Sequence, residues 1–211
     1  MSLLPEQIEK NKQLFLGLIR QIKIEGADIN GLIEFLTNSD FFTAPASTIY
    51  HGNFEGGLCY HSLNVFDALL ELAEKYTPGR YDRNSLLVVG LLHDLSKTNF
   101  YEKYIMNKKV YLPSGTKQDN QGRFDWFAEE AYKVKDAKER FIGGDHATNS
   151  MFLISKYIPL TYEESVAVIN HHFITETNGL LRDITPIYNT YSLATLIHLA
   201  DMIAVYLIEN K

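Results

Sequence analysis

The apolar positions of the chain fall mostly into segments with helical spacing, interrupted between residues 100 and 140 by a stretch of strand-like character. Residues 5–24 read as an amphipathic helix opened by Pro5, with Ile8, Leu14, Leu16, Leu18, Ile19 and Ile22 on its apolar positions and Gly26 ending it. A short helix from Gly31 to Thr37 follows, with Asn30 as its expected cap, and Pro45 then keeps 41–47 irregular. After glycines at 52, 56 and 57, a long helix is predicted from Leu58 to Tyr76, with His61, Val65, Leu69, Leu72 and Tyr76 on one face. Pro78-Gly79 breaks it, and Asn84 is expected to cap the next helix. That helix runs into the most apolar stretch, Leu-Leu-Val-Val-Gly-Leu-Leu-His-Asp-Leu-Ser-Lys at 86–97.

Turn signals at Asn107-Lys108-Lys109, Pro113-Ser114-Gly115 and Asn120-Gln121-Gly122 separate short aromatic and β-branched segments, predicting a small β-hairpin or lid with Trp126 on one strand. Gly143-Gly144-Asp145-His146 opens another helix, through Met151, Ile154 and Ile158 to Pro159. Thr161 and Glu164 form a capping box for the next, which is expected to end at His171-His172. Gly179 and Pro186 mark a loop. A last helix, Ser192 to Glu209, should bury Leu193, Leu196, Ile197, Ala200, Ala204, Leu207 and Ile208, with Asp201 inside that pattern. The predicted fold class is therefore all-α, a helical bundle with a small inserted β element. The organisation expected is an N-terminal helical appendage (1–45) packed on a core domain (46–211) whose insert spans about 100–140.

Length and composition fit one sizeable soluble domain: 211 residues, 45% hydrophobic and 22% charged. A net charge of −6 argues against strong binding to duplex nucleic acid. Residues 101–140 are the exception, with nine Lys and Arg against seven Asp and Glu. Such a segment is either a solvated face or a lid that attracts an anionic substrate. The single cysteine, Cys59, excludes an internal disulfide and a multi-cysteine zinc site, and reads as a small packed residue. The N-terminus lacks the basic and apolar regions of a signal peptide, and residues 195–208, the nearest thing to a membrane span, are interrupted by His198 and Asp201 and followed by Glu209. The expected location is cytoplasmic, away from membranes; oligomeric state is not readable.

The chemistry lies in an ordered set: His61, His93-Asp94, His146, His171-His172 and Asp201, each on or at the end of a predicted helix. A carboxylate in a segment as apolar as 86–97 needs a cation nearby, since burying it alone costs several kcal/mol. Imidazoles and carboxylates converging in a helical bundle suit one or two divalent ions such as Fe, Mn or Mg better than tetrahedral zinc. His51 reads as a turn histidine on the surface, the alternative being a place lining the pocket, since its glycine-rich neighbourhood is close to His61.

This layout resembles the HD-domain superfamily of metal-dependent phosphohydrolases, whose pattern of a His, a His-Asp pair and a late Asp is met by His61, His93, Asp94 and Asp201. Gly56-Gly57-Leu58-Cys59-Tyr60-His61 and His198-Leu199-Ala200-Asp201 also look like segments of bacterial HD-domain nucleases. The resemblance implies that His61, His93, Asp94 and Asp201 hold a first ion. It further implies that Asp94 bridges to a second, held by His146 and one of His171 and His172. His172 continues the face of Ser165, Val168 and Ile169 and is the favoured ligand, leaving His171 for the substrate phosphate. Lys97, one turn past His93, is expected to reach a phosphate oxygen. The implied activity is a metal-activated water attacking a phosphoester of a nucleotide or short oligonucleotide, with Asp94 and Lys97 in catalysis and Lys97 and His171 in substrate binding. Leu-Ser-Lys-Thr after Asp94 departs from the acidic pair of alarmone hydrolases, the Gly-Tyr-Pro signature of cyclic di-GMP phosphodiesterases is absent, and no oligonucleotide-binding barrel precedes the domain. A non-catalytic metal-stabilised binding module, and more distantly a di-iron oxygenase, are the alternatives.

Overall fold

The computed structural model describes residues 2–140, 144–172 and 184–209. In chain order these form α1 (Pro5–Ile19), α2 (Ile29–Asn38), α3 (Gly57–Tyr76), α4 (Arg83–Leu92), β1 (Tyr101–Tyr111), β2 (Lys117–Asp119), β3 (Gly122–Val134), α5 (His146–Ser155), α6 (Tyr162–Ile169), α7 (Thr185–Thr190) and α8 (Ser192–Ile203). A helical bundle with one small sheet is the fold class that the apolar spacing predicts.

Helix α3 is the central element, packed against α1, α4 and α8, and α6 packs on both α8 and α4. Its start explains the paired glycines. Gly56 has φ +80°, which favours a residue without a Cβ, and a Cβ on Gly57 would run into the Gly52 carbonyl. The tight turn lets Leu58 N–H donate to the Ala44 carbonyl at 2.9 Å and brings His61 onto the inner face in the first helical turns. Gly90 serves α4 likewise, because a Cβ there would lie 3.0 Å from the Phe66 backbone; its absence lets α4 lie close along α3. Every residue from Leu86 to Thr98 is buried, as the apolar run demands. From the N-terminal side, Phe15, Ile19, Leu32 and Leu36 are fully buried in the same hydrophobic cluster as Leu69, Leu87 and Ile197.

Details of the helix ends differ from expectation. Helix α1 ends at Ile19, and Leu14 points outward, 52% exposed. Asp28, not Asn30, caps α2 by accepting from Gly31 N–H, and Asp82, not Asn84, caps α4 by accepting from Ser85 N–H. A carboxylate at the residue before the helix reaches the free N–H groups of the first turn, whereas Asn30 and Asn84 are already inside it. Asn84 instead accepts from Lys23 N–H at 2.7 Å, tying α4 to the end of the first helical segment. The Thr161–Glu164 capping box is present as predicted. Pro186 opens the short helix α7 instead of breaking a loop; Gly179 lies outside the described residues.

The insert is a three-stranded antiparallel sheet in the order β1-β3-β2, with β1 and β3 paired along their whole length from Tyr101↔Val134 to Tyr111↔Phe124. Trp126 lies on β3 and is half exposed. Lys103 pairs with Glu55, Lys108 with Glu129, Lys109 with Asp119 and Lys133 with Glu102, so the local excess of lysines is largely balanced by neighbouring carboxylates. These exposed pairs add little stability each.

Beyond Ile203 the last helix continues as a π-turn, Ala204–Glu209. The wider turn shifts the register: Glu209 is buried, while Leu207, expected inside, is 61% exposed. Residues 192–209 are long and apolar enough to cross a membrane by length and composition alone; half of this segment is buried inside the protein.

Candidate metal centre

Five elements bring the predicted residues to one place. His61 comes from α3, His93 from the C-terminal end of α4, His146 from the first turn of α5, His171 and His172 from just beyond α6, and Asp201 from α8. Asp94 leaves the helix at φ −108°, ψ 19°, which turns its carboxylate toward the gap between the two sets of histidines.

The carboxylate of Asp94 is shared. Its Oδ2 lies 3.7 Å from His61 Nε2 and 3.5 Å from His93 Nε2, and its Oδ1 lies 3.5 Å from His171 Nε2 and 3.7 Å from His146 Nε2. Asp201 spans the halves as well, with Oδ1 3.2 Å from His61 Nε2 and Oδ2 3.3 Å from His172 Nδ1. His171 and His172 both face the centre, their ring centroids 4.2 Å apart. The helix has ended at Ile169, so the 100° separation of adjacent helical residues no longer applies. Three overlapping groups result among the described residues: His61-His93-Asp94, Asp94-His146-His171-His172, and His51-His61-Glu209, which shares His61 with the first.

Several imidazoles are already in the tautomer that a cation needs. His93 Nδ1–H donates to the Gly90 carbonyl at 2.9 Å, and His171 Nδ1–H to the Val168 carbonyl at 2.6 Å. His61 Nδ1–H donates to Glu209 Oε1 at 3.0 Å. In His93 and His171 the remaining Nε2 lone pair is directed at the others and at Asp94, while His61 Nε2 lies 3.2 Å from Asp201 Oδ1. His61 Nε2 and His93 Nε2 stand only 3.3 Å apart. Asp94 Oδ1, His146 Nε2 and His171 Nε2 are buried with no hydrogen-bond partner. Unpaired buried acceptors of this kind cost free energy that a shared cation removes, so the donor set fits one or two divalent ions.

The titration of these groups follows the same map. Burial pushes His146 and His51 down to about 4 and His172 to about 2. Burial also disfavours the His61 cation, but its hydrogen bonds with Asp201 and Glu209 outweigh that and lift it to about 10. Burial raises Asp94 and Lys97 outweighs it, so that the carboxyl sits well below its usual range. Lys97 is itself buried, and its Nζ donates to Asp94 Oδ2 at 2.7 Å.

A protein-family model, described as HD domain, matches residues 58–204. The chain belongs to the HD domain family. Membership makes it one of a superfamily of metal-dependent phosphohydrolases, as the motif layout implied. Neither curated proteins nor solved structures yield a match.

Three further residues border this HD centre: the sequence left Glu209 and His198 without a role and His51 divided between the surface and the pocket. His51 lies in a turn as expected but half-buried, lining the cleft with its ring 4.6 Å from that of His61. Glu209 reaches His61 through the π-turn. His198, one turn before Asp201, donates from Nδ1 to the His171 carbonyl at 2.9 Å and stacks on Tyr188. Only its spacing to Asp201 on an apolar helix offered a signal. An open cleft of about 920 Å³ adjoins the centre, with His51, His172, His198 and Asp201 at its polar end and Ile49, Tyr50, Met202 and Tyr206 along its walls.

Proposed function

We propose that the protein is a hydrolase of phosphoesters carried by a nucleotide or short oligonucleotide, with Asp94 as the ligand common to two divalent ions. The observation that supports this most is the split of the Asp94 carboxylate: Oδ2 faces His61 and His93, Oδ1 faces His146 and His171. In this reading His61, His93, Asp94 and Asp201 hold the first ion, and Asp94 with His146 and the His171-His172 pair holds the second. Buried, anchored His171 suits a ligand; His172, a third exposed and lining the cleft, suits either ligation or contact with the substrate phosphate. When bound, the ions supply Lewis acidity, bringing a water into reach of deprotonation near neutral pH and offsetting charge on the phosphoryl oxygens.

The remaining roles fall to the chain. Lys97 keeps Asp94 ionised and places a positive charge at the buried side of the centre, which would offset charge on a bound phosphate. His172 and His198 border the cleft where the ester enters. Tyr50 and Tyr206 on the walls offer flat, amphipathic faces for a base.

The test is elemental analysis of the purified protein, then hydrolysis assays with added Mn²⁺, Fe²⁺, Mg²⁺ or Zn²⁺. Substrates would be nucleoside monophosphates, cyclic dinucleotides, short oligonucleotides and bis(p-nitrophenyl) phosphate. Bound metal with hydrolysis of any of these esters, read as phosphate from a monoester or as nucleotide or p-nitrophenol from a diester, that an Asp94→Asn variant lacks supports the proposal. Bound metal with no hydrolysis of any phosphoester leaves a metal-stabilised binding module in its place.

A further inference from the structure

The final turn of the last helix is the least regular part of the helical core, and it carries a buried carboxylate. At about 100° per residue, a continuous α-helix would return Ile208 to within about 20° of Asp201 and leave Glu209 about 80° away. The π-turn at Ala204–Glu209 takes in one extra residue, so Glu209 occupies the inward position instead. It is 6% exposed there. Its Oε1 accepts from His61 Nδ1 at 3.0 Å and from Asn64 Nδ2 at 3.0 Å, while its Oε2 is buried without a hydrogen-bond partner. Leaving that oxygen unsatisfied costs stability, and nothing in the packing of Leu207, which the same turn expels to 61% exposure, repays it.

The gain is at His61. His93 and His171 are anchored through neutral backbone carbonyls, of Gly90 and Val168. His61 is anchored through a carboxylate, and Asn64, one turn further along α3, holds that carboxylate in place. A carboxylate behind an imidazole fixes ring orientation, selects the tautomer with the lone pair on Nε2 and makes that nitrogen a stronger donor. We propose that Glu209 is a positioning residue for metal binding: delivered by the π-turn, it holds His61 with Nε2 presented to the centre and strengthens it as a ligand. The proposal rests on the reading of His61 as a ligand of the first ion.

The experiment compares metal-free wild type with Glu209→Gln and Glu209→Ala, titrated with Mn²⁺ by calorimetry, with the His61 tautomer read from ¹⁵N chemical shifts of the metal-free proteins at alkaline pH, above about 10, where the ring is neutral. Glutamine keeps an acceptor oxygen and nearly the same shape, so it guards against loss of fold. The expected result is a dissociation constant raised by about 10–100-fold for Glu209→Ala, a smaller rise for Glu209→Gln, and a tautomer shift toward Nε2–H in the alanine variant only. Wild-type affinity in Glu209→Ala overturns the proposal. So does an equal loss in both variants with the tautomer unchanged, which would reduce Glu209 to a part of the fold. A wild-type protein that binds no divalent ion at all removes the metal reading of His61 itself, an outcome separate from either.

Discussion

The two sides of Asp94 are built differently. On the Oδ2 side, His61 and His93 are fully buried, their Nδ1 atoms are committed to Glu209 and the Gly90 carbonyl, and Asp201 is 4% exposed. On the Oδ1 side only His171 is so enclosed; His146 and His172 are about a third exposed and come from the start of α5 and the end of α6. Residues inside packed helices cannot move without disturbing the core, whereas helix ends can adjust at little cost. If the proposed reading holds, the first side would be the preorganised, tight site and the second the exchangeable one facing the substrate.

The largest effect is expected where the two sides meet. Asp94→Asn should abolish hydrolysis and weaken both ions, by more than the ~10–100-fold that loss of an outer-shell partner costs; metal analysis alongside turnover reads this. Next comes the difference between the sides. His93→Ala should cost both metal content and thermal stability, because it opens the core. His146→Ala should keep the fold and the first ion while losing the second and most of the activity. Equal loss of stability in the two variants would break the comparison.

Proton uptake sharpens it further. In the metal-free protein His61 is held protonated up to about pH 10, well above its ordinary value, so an ion entering the first side must displace that proton. Affinity there should rise with pH through the neutral range, by up to about tenfold per unit for one proton released. His146 and His172, lowered to about 4 and about 2, are neutral at pH 6 and above, so neither adds a proton to be displaced over the same range and the pH dependence on the second side should be the weaker of the two. Calorimetry in buffers of different ionisation enthalpy distinguishes the two. Smallest is the contrast with the β-arm. Ile105→Thr, at a 65% exposed position, should change stability by no more than about 0.5 kcal/mol, whereas Leu91→Ala in the buried run should cost about 2–5 kcal/mol in chemical denaturation.

How much of this was legible in the sequence depends on whether the signal was local. The burial of 86–97, the long α3 and the Thr161–Glu164 capping box follow from spacing and side-chain chemistry within one segment, and all are present. His61, His93, Asp94, His146, His171, His172 and Asp201 come together because each sits on an inward face or at a helix end that periodicity marks. Glu209 was hidden because a π-turn breaks the 3.6-residue period on which the assignment of faces relies. His51 was left between surface and pocket because it sits in a glycine-rich turn, whose path helical periodicity does not describe. The convergence of His171 and His172 depended on where α6 stops, and helix ends are the least determined part of a periodic pattern.

The most direct test of the central claim is the metal stoichiometry of the wild-type protein and of His146→Ala, each stripped and reloaded with Mn²⁺ and measured by elemental analysis after dialysis. The account predicts about two equivalents in the wild type and about one in the variant, the retained ion being held on the His61–His93 side. One equivalent in both proteins, or none in either, would contradict a centre in which Asp94 serves two ions.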